Sequence, residues 1–198
     1  MSNHNNVDEY INEEVSRIKR RKTASKELLS WLLYIGIILV VTILINTFIG
    51  QRTRVDGNSM LPQLQNGDNL IVDKISYRFT DPTRFDIIVF PYQYKNNTFY
   101  IKRIMGLPGE TIQIIDGRFF VNGEQIEDRF GNAQMNNPGI AGVPITLGEN
   151  QYFVLGDNRN NSQDSRDQHV GVLERADILG RAWLRIWPLS SFGVMQHE

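Results

Sequence analysis

Two side chains in this sequence have the chemistry to carry out acyl transfer together. One is Ser59, in Asp56-Gly57-Asn58-Ser59-Met60-Leu61-Pro62; the other is Lys102, in Phe99-Tyr100-Ile101-Lys102-Arg103-Ile104-Met105. A serine hydroxyl becomes a nucleophile when a neutral amine takes its proton. Gly57 and Pro62 interrupt regular structure on either side of Ser59. That suits a hydroxyl presented at the rim of a cleft, with backbone amides nearby for an oxyanion. Taken alone, a serine among turn formers reads as a turn or cap residue. Around Lys102, strand alternation sets Tyr100, Lys102 and Ile104 on one face. Apolar neighbours desolvate an amine and lower its pKa, which turns it into a general base near neutral pH. The plain alternative is an exposed edge-strand lysine that discourages aggregation.

Other residues compete for these roles. His169, in Asp167-Gln168-His169, could serve Ser59 in a Ser-His-Asp arrangement, but it lies in a polar loop and reads as a surface residue. The segment Gly156-Asp157-Asn158-Arg159-Asn160-Asn161-Ser162-Gln163-Asp164-Ser165-Arg166 is dense in short polar side chains. It fails the spacing of a calcium loop, because Arg159 falls where an oxygen ligand belongs and Ser162 stands where glycine is needed. It reads instead as a self-bonded loop locked by an Arg–Asp pair, able to set a hydroxyl against the catalytic amine.

Composition narrows the choices. The 198 residues carry 21 Lys and Arg against 22 Asp and Glu, a net charge of −1, so no nucleic-acid partner is expected. There is no cysteine, which excludes disulfides, thiol catalysis and cysteine-based metal sites. With only His4, His169 and His197, a histidine-rich metal site is hard to build, and no cofactor is expected.

The elements that position the pair follow from patterning. Leu28–Gln51 holds no Asp, Glu, Lys or Arg. As a helix it would extend roughly 36 Å, enough to span a bilayer with some tilt. Trp31 and Tyr34 sit near one end, as interfacial aromatics do. A cleaved signal peptide would have a shorter apolar core and a small-residue cleavage site, and Ile45-Asn46-Thr47-Phe48-Ile49 offers none; a buried core helix is the other alternative. Arg17, Lys19, Arg20, Arg21, Lys22 and Lys26 precede the run, and only Arg52 and Arg54 closely follow it. The positive-inside rule then gives a cytoplasmic charged tail over 1–27, a transmembrane helix over 28–51 and an extracytoplasmic domain over 52–198.

That domain is predicted to be mostly β. Strands are expected over 69–74, 85–90, 98–105, 111–115, 118–121, 151–155 and 179–187. Asp116-Gly117 and Asn122-Gly123 make tight hairpins. The stretch 128–149 is expected to be one long loop, and 173–178 to form a helical turn or two.

Taken in order, these segments resemble bacterial type I signal peptidase, the membrane-bound leader peptidase. The likeness rests on Gly57–Pro62, Gly67-Asp68 through Val72, Lys102–Glu110, and Gly156-Asp157-Asn158-Arg159 with Ser162, Asp164, Ser165 and Arg166; Leu184–Leu189 is also similar. The single anchor and short domain resemble the Gram-positive form. The resemblance implies a signal-peptidase-like β domain behind one N-terminal transmembrane helix, anchored in the cell membrane with its N-terminus cytoplasmic. It implies Ser59 as acylating nucleophile, Lys102 as general base, Ser162 as the hydroxyl that orients the amine, and Asp164 with Arg166 as an ion pair bracing the loop. The Ser59 backbone amide would be one oxyanion donor. A serine supplies the second donor in some members, and Gly57 stands there in this chain. Gln63 replaces a common threonine and Glu110 a common aspartate. The implied partners are exported preproteins with small residues near the cut, and membrane lipid. One alternative is a non-catalytic, membrane-tethered homologue that binds signal sequences, marked by loss of Ser59 or Lys102. A self-cleaving repressor-type Ser/Lys peptidase is another, but no helix-turn-helix pattern precedes the domain.

Overall fold

The computed structural model describes residues 26–43, 51–94 and 98–197, in two units, Met1–Thr47 and Phe48–Glu198. In the first, α1 (Lys26–Ile43) is apolar on every side, and Leu29, Trp31, Leu32, Ile38 and Ile43 are all exposed. Such a helix has no polar face to turn to water. Among the described residues it is the one helix long and apolar enough to cross a membrane. Of the expected 28–51 span, residues 44–50 lie outside the described residues, and Gln51 belongs to a strand.

Among the described residues of the second unit, twelve strands form two antiparallel sheets. The larger contains β1 (Gln51–Arg54), β2 (Asn69–Asp73), β11 (Gly180–Trp187), β3 (Ile87–Pro91), β4 (Phe99–Gly106), β9 (Gln151–Leu155) and β10 (Leu173–Glu174) in that spatial order, with β12 (Gly193–Val194) paired to β11. The smaller runs β7 (Glu124–Gln125), β6 (Arg118–Val121), β5 (Thr111–Ile115), β8 (Ile145–Thr146).

Local sequence explains most of this. Asp116 and Gly117 have φ of 46° and 73°, and Asn122 and Gly123 have 51° and 84°. Both turns therefore use the paired left-handed residues that match strand twist. β3 starts at Ile87 rather than Phe85. Phe85 has φ of 72°, and the Asp86 carboxylate turns inward to accept from Tyr77 Oη at 2.8 Å and Thr83 N at 2.9 Å. The 128–149 stretch is irregular except for a 3-10 turn over Gly139–Gly142 and β8, which edges the small sheet. The 173–178 stretch resolves into β10 and one 3-10 turn, Arg175–Asp177.

β3 and β4 lie between cores. Ile87 and Val89 join a cluster with Met60, Leu64 and Leu70, while Ile88 and Phe90 join one with Ile104, Tyr152 and Val154. A third cluster, including Met105, Phe119 and Phe153, ties the two sheets together. Each fully buried aliphatic or aromatic side chain is worth about 1.5–3 kcal/mol. The strand that carries Lys102 is thus held on both faces.

Candidate active site

The chain leaves β1 through Val55, which exchanges hydrogen bonds with the turn at Gly67-Asp68, and enters the tight segment 57–64. Met60 and Leu64 are 2 % and 0 % exposed and plug that segment into the core. Ser59, the residue before Met60, is half-buried and fixed by its neighbour's burial. Its carbonyl accepts from Asn158 N at 3.0 Å, and Asn58 O accepts from Asn158 Nδ2 at 3.1 Å. The 156–166 loop therefore grips the backbone on either side of the hydroxyl. Among the described residues the Ser59 amide has no hydrogen-bond partner, so it is free to donate to an incoming oxygen.

β4 brings the amine. Lys102 stands on the face expected from alternation, between Tyr100 and Ile104, which both pack on the same cluster. It is only 3 % exposed. Nζ lies 2.8 Å from Ser59 Oγ and donates to Ile101 O at 2.9 Å. Burial drives its pKa down to about 8, opposed first by the negative charge of Asp164 and then by that of Asp157. Near pH 8 the amine is half neutral. A neutral Nζ keeps one N–H on Ile101 O and turns its lone pair to the serine hydroxyl, the geometry required of a general base.

The loop opposite is stiffened by three ion pairs in which arginine bonds both carboxylate oxygens. Arg166 binds Asp164 at 2.8 and 2.9 Å, Arg103 binds Asp157 at 2.8 and 2.7 Å, and Arg159 binds Asp128 at 2.9 and 2.7 Å. Arg103, Asp157 and Arg159 are fully buried. Asp164 also accepts from Gly156 N at 3.0 Å, and the Arg166 and Arg159 guanidiniums donate to the carbonyls of Arg159 and Gly156. Paired guanidiniums neutralise the two aspartates that face Lys102. Without that, those charges would hold the amine more firmly as ammonium.

Gly156 is required for closure. A Cβ there would lie 2.5 Å from Ser59 O and closer still to Ser162 Oγ. Only glycine lets the loop approach the nucleophile this closely.

Most of the expected residues are brought together: Ser59 touches Lys102, and Asp164 pairs with Arg166. Ser162 departs from expectation. Its Oγ is buried and has no hydrogen-bond partner among the described residues. The hydrogen bonds of Nζ go to Ser59 Oγ and Ile101 O, and Ser162 abuts Gly156. Nor does His169 serve Ser59: it is exposed and bonds Asp167 at 2.9 Å. Gly57 has φ of 99°, and its amide is already committed to Asn66 Oδ1 at 3.1 Å, so it supplies no second oxyanion donor. The roles of Arg103, Asp157, Asp128 and Gly156 were not read from the sequence. The adjacency of Lys102 and Arg103 was the available signal, since alternation sends them to opposite faces.

The family model described as signal peptidase, peptidase S26, matches residues 28–187. The chain belongs to the S26 signal peptidase family. Similar members include Signal peptidase I of Leptolyngbya laminosa, 40% identical over 86% of this chain and 85% of that one. Signal peptidase I P of Bacillus subtilis subsp. natto is 35% identical over 86% of this chain and 95% of that one. A crystal structure of a signal peptidase I from Enterococcus faecalis V583 aligns at 32% identity, over 52% of this chain and 97% of that one, with a TM-score of 0.43. The matched span takes in all of α1 but its first two residues, and all but the last part of the β domain.

Proposed function

We propose that this chain is a membrane-anchored serine endopeptidase that removes signal peptides from exported preproteins through a Ser59–Lys102 dyad. The observation that carries the reading is a lysine amine, shut off from solvent, 2.8 Å from a serine hydroxyl at the wall of an open cleft. That cleft, about 220 Å³, lies between Arg54–Met60 and Phe99–Lys102. Ile104 N bonds Asp86 O, and Thr98 O accepts from Tyr92 N, so even-numbered residues of β4 turn their backbone to β3. Phe99 and Ile101 turn theirs the other way, and β9 pairs with β4 only from Arg103 onward. Among the described residues the edge at 99–101 has no strand partner, with Ile101 O accepting only from Lys102 Nζ, and an extended peptide can add there as a strand.

In the first step neutral Lys102 takes the Ser59 proton as Oγ attacks the scissile carbonyl. The Ser59 amide donates to the oxyanion, and the ammonium returns its proton to the leaving amine. Water then attacks the acyl-enzyme, with Lys102 again the base. Ser162 does not bond Nζ at rest, but its buried hydroxyl has no partner among the described residues; in this reading it takes a hydrogen bond from the ammonium once Lys102 is protonated, and Asp164 with Arg166 braces the loop that holds it. Helix α1 is the anchor, with the basic tail cytoplasmic and the β domain extracytoplasmic. Tethering enzyme and preprotein to one membrane raises their effective concentration.

The test is cleavage of a preprotein with an A-x-A site in liposomes. Wild type should cut after the second small residue, and Ser59→Ala should not. Binding without cleavage by wild type would leave a signal-sequence binder instead.

A further inference from the structure

Gln163 stands between two residues that the proposed mechanism uses, Ser162 and Asp164, yet takes no part in the proton path. Its side chain borders the cleft and is held at three points. Oε1 accepts from the Tyr100 hydroxyl at 2.7 Å, and Nε2 donates to Tyr92 Oη at 3.3 Å and to Asp167 Oδ2 at 3.1 Å. A carboxylate only accepts, so the contact with Asp167 fixes which end of the amide is nitrogen and commits the oxygen to Tyr100. The Tyr100 ring also stacks on Tyr92, with centroids 4.5 Å apart and planes 11° from parallel. The ring is thus pinned at its tip and across its face. Lys102 Nζ lies 5.0 Å from its centroid.

A ring in that position acts on the amine in two opposed ways. Its π face attracts an ammonium. Its bulk keeps water away, which disfavours the ammonium. Burial is the dominant influence on Lys102, and it favours the neutral form. The ring, 5.0 Å away, is one of the groups packed around the amine that exclude water from it.

We propose that Gln163 is a positioning residue that acts through Tyr100: by pinning the ring beside Lys102 it keeps water off the amine and keeps the base ready to accept a proton. The inference rests on the reading of Lys102 as general base. The other groups facing the amine are Ser59 from the nucleophile turn, and Asp164 and Asp157 from the loop, paired with Arg166 and Arg103. Beyond Tyr100 lie Tyr92 and Asp167, and His169 is bonded to Asp167.

The experiment follows the Lys102 side-chain carbon signal by NMR across pH in the full chain, labelled with ¹³C-lysine in detergent micelles and assigned with Lys102→Met. Gln163→Leu keeps the bulk but cannot accept from Tyr100; Tyr100→Phe keeps the ring but cannot donate. Each should raise the Lys102 titration midpoint by about one pH unit. The double variant should move it no further than either alone, because each breaks the Tyr100–Gln163 bond through which the effect is carried. An unmoved midpoint, a fall, or two shifts that add would overturn the inference. In turnover, the acid limb of kcat/KM should move up by the same amount, whatever the height of the plateau. Uniform loss at every pH would mean a merely structural role and would also overturn it. Wild type that cuts no better than Ser59→Ala would sink the proposed peptidase activity. The titration needs no turnover and decides the inference on its own.

Discussion

Replacing Lys102 with methionine should inactivate the protein and yet remove a destabilising element. The folded state holds this amine at about 8 against an ordinary 10.5. A shift of that size disfavours the folded state by about 3 kcal/mol wherever both states would otherwise be protonated. The sign follows from proton counts. Between pH 8 and 10.5 the unfolded chain binds more protons at this site than the folded one. Stability therefore rises with pH across that window, and below pH 8 the full penalty applies. Methionine has similar length and no charge to desolvate. It also removes the donor to Ile101 O, and an unsatisfied buried carbonyl costs about 1–3 kcal/mol. At pH 7 the variant should therefore be as stable as wild type, or up to about 2 kcal/mol more stable. The lost donor matters equally at every pH, so the change with pH is the cleaner measure. Wild type should gain about 3 kcal/mol on the variant between pH 7 and 10.5. Urea unfolding of both proteins in the same mild detergent at several pH values measures this. A stability gap that stays constant over the range would refute the argument that burial depresses this amine.

Further expectations follow from the same geometry. Because the neutral amine is the active form, kcat/KM should fall about tenfold per pH unit below pH 8 and level off above it; a profile flat from pH 5 to 9 would exclude Lys102 as base. Gly156→Ala should lower kcat by about a hundredfold, since its Cβ displaces the backbone that holds Ser59, and the melting temperature should report whether folding survives. Ser162→Ala removes a buried hydroxyl with no partner, so stability should hold or rise while cleavage drops by less than in Ser59→Ala, as read by calorimetry and preprotein turnover. Asp157→Ala leaves the fully buried Arg103 unpaired and should cost about 3–5 kcal/mol in urea unfolding.

Local rules made the frame readable. The Asp-Gly and Asn-Gly turns carry their own φ preference, and the alternation in 98–105 set the face of Lys102, so the two hairpins of the small sheet and the base were legible from short windows, whereas β8, inside the expected loop, was not. What escaped the sequence were pairings that only the topology creates. Arg103 and Asp157 are 54 residues apart and Arg159 and Asp128 are 31 apart, and no local pattern states that they meet. Ser59 and Lys102, 43 apart, were joined in advance only because their surrounding motifs resembled a family. The Phe85 reversal was missed because a bulky residue seldom takes positive φ. The strand at Gln51–Arg54 was missed because Gln51 reads as the end of the anchor and Arg52 and Arg54 as the charges that flank it.

A β-strand offers two faces and an edge, and β4 gives each a separate task within five residues. One face holds the base at Lys102, the other hides the guanidinium of Arg103, and the edge at 99–101 stays open. This arrangement has no tolerance for a shift in reading frame. Deleting one residue between Phe99 and Lys102 would exchange the faces of positions 102 and 103. A group that never gives up its proton near neutral pH would then point at the serine, and an amine would face the buried Asp157. Length variation among functional relatives should therefore fall in the turn between β3 and β4, and never inside 99–103.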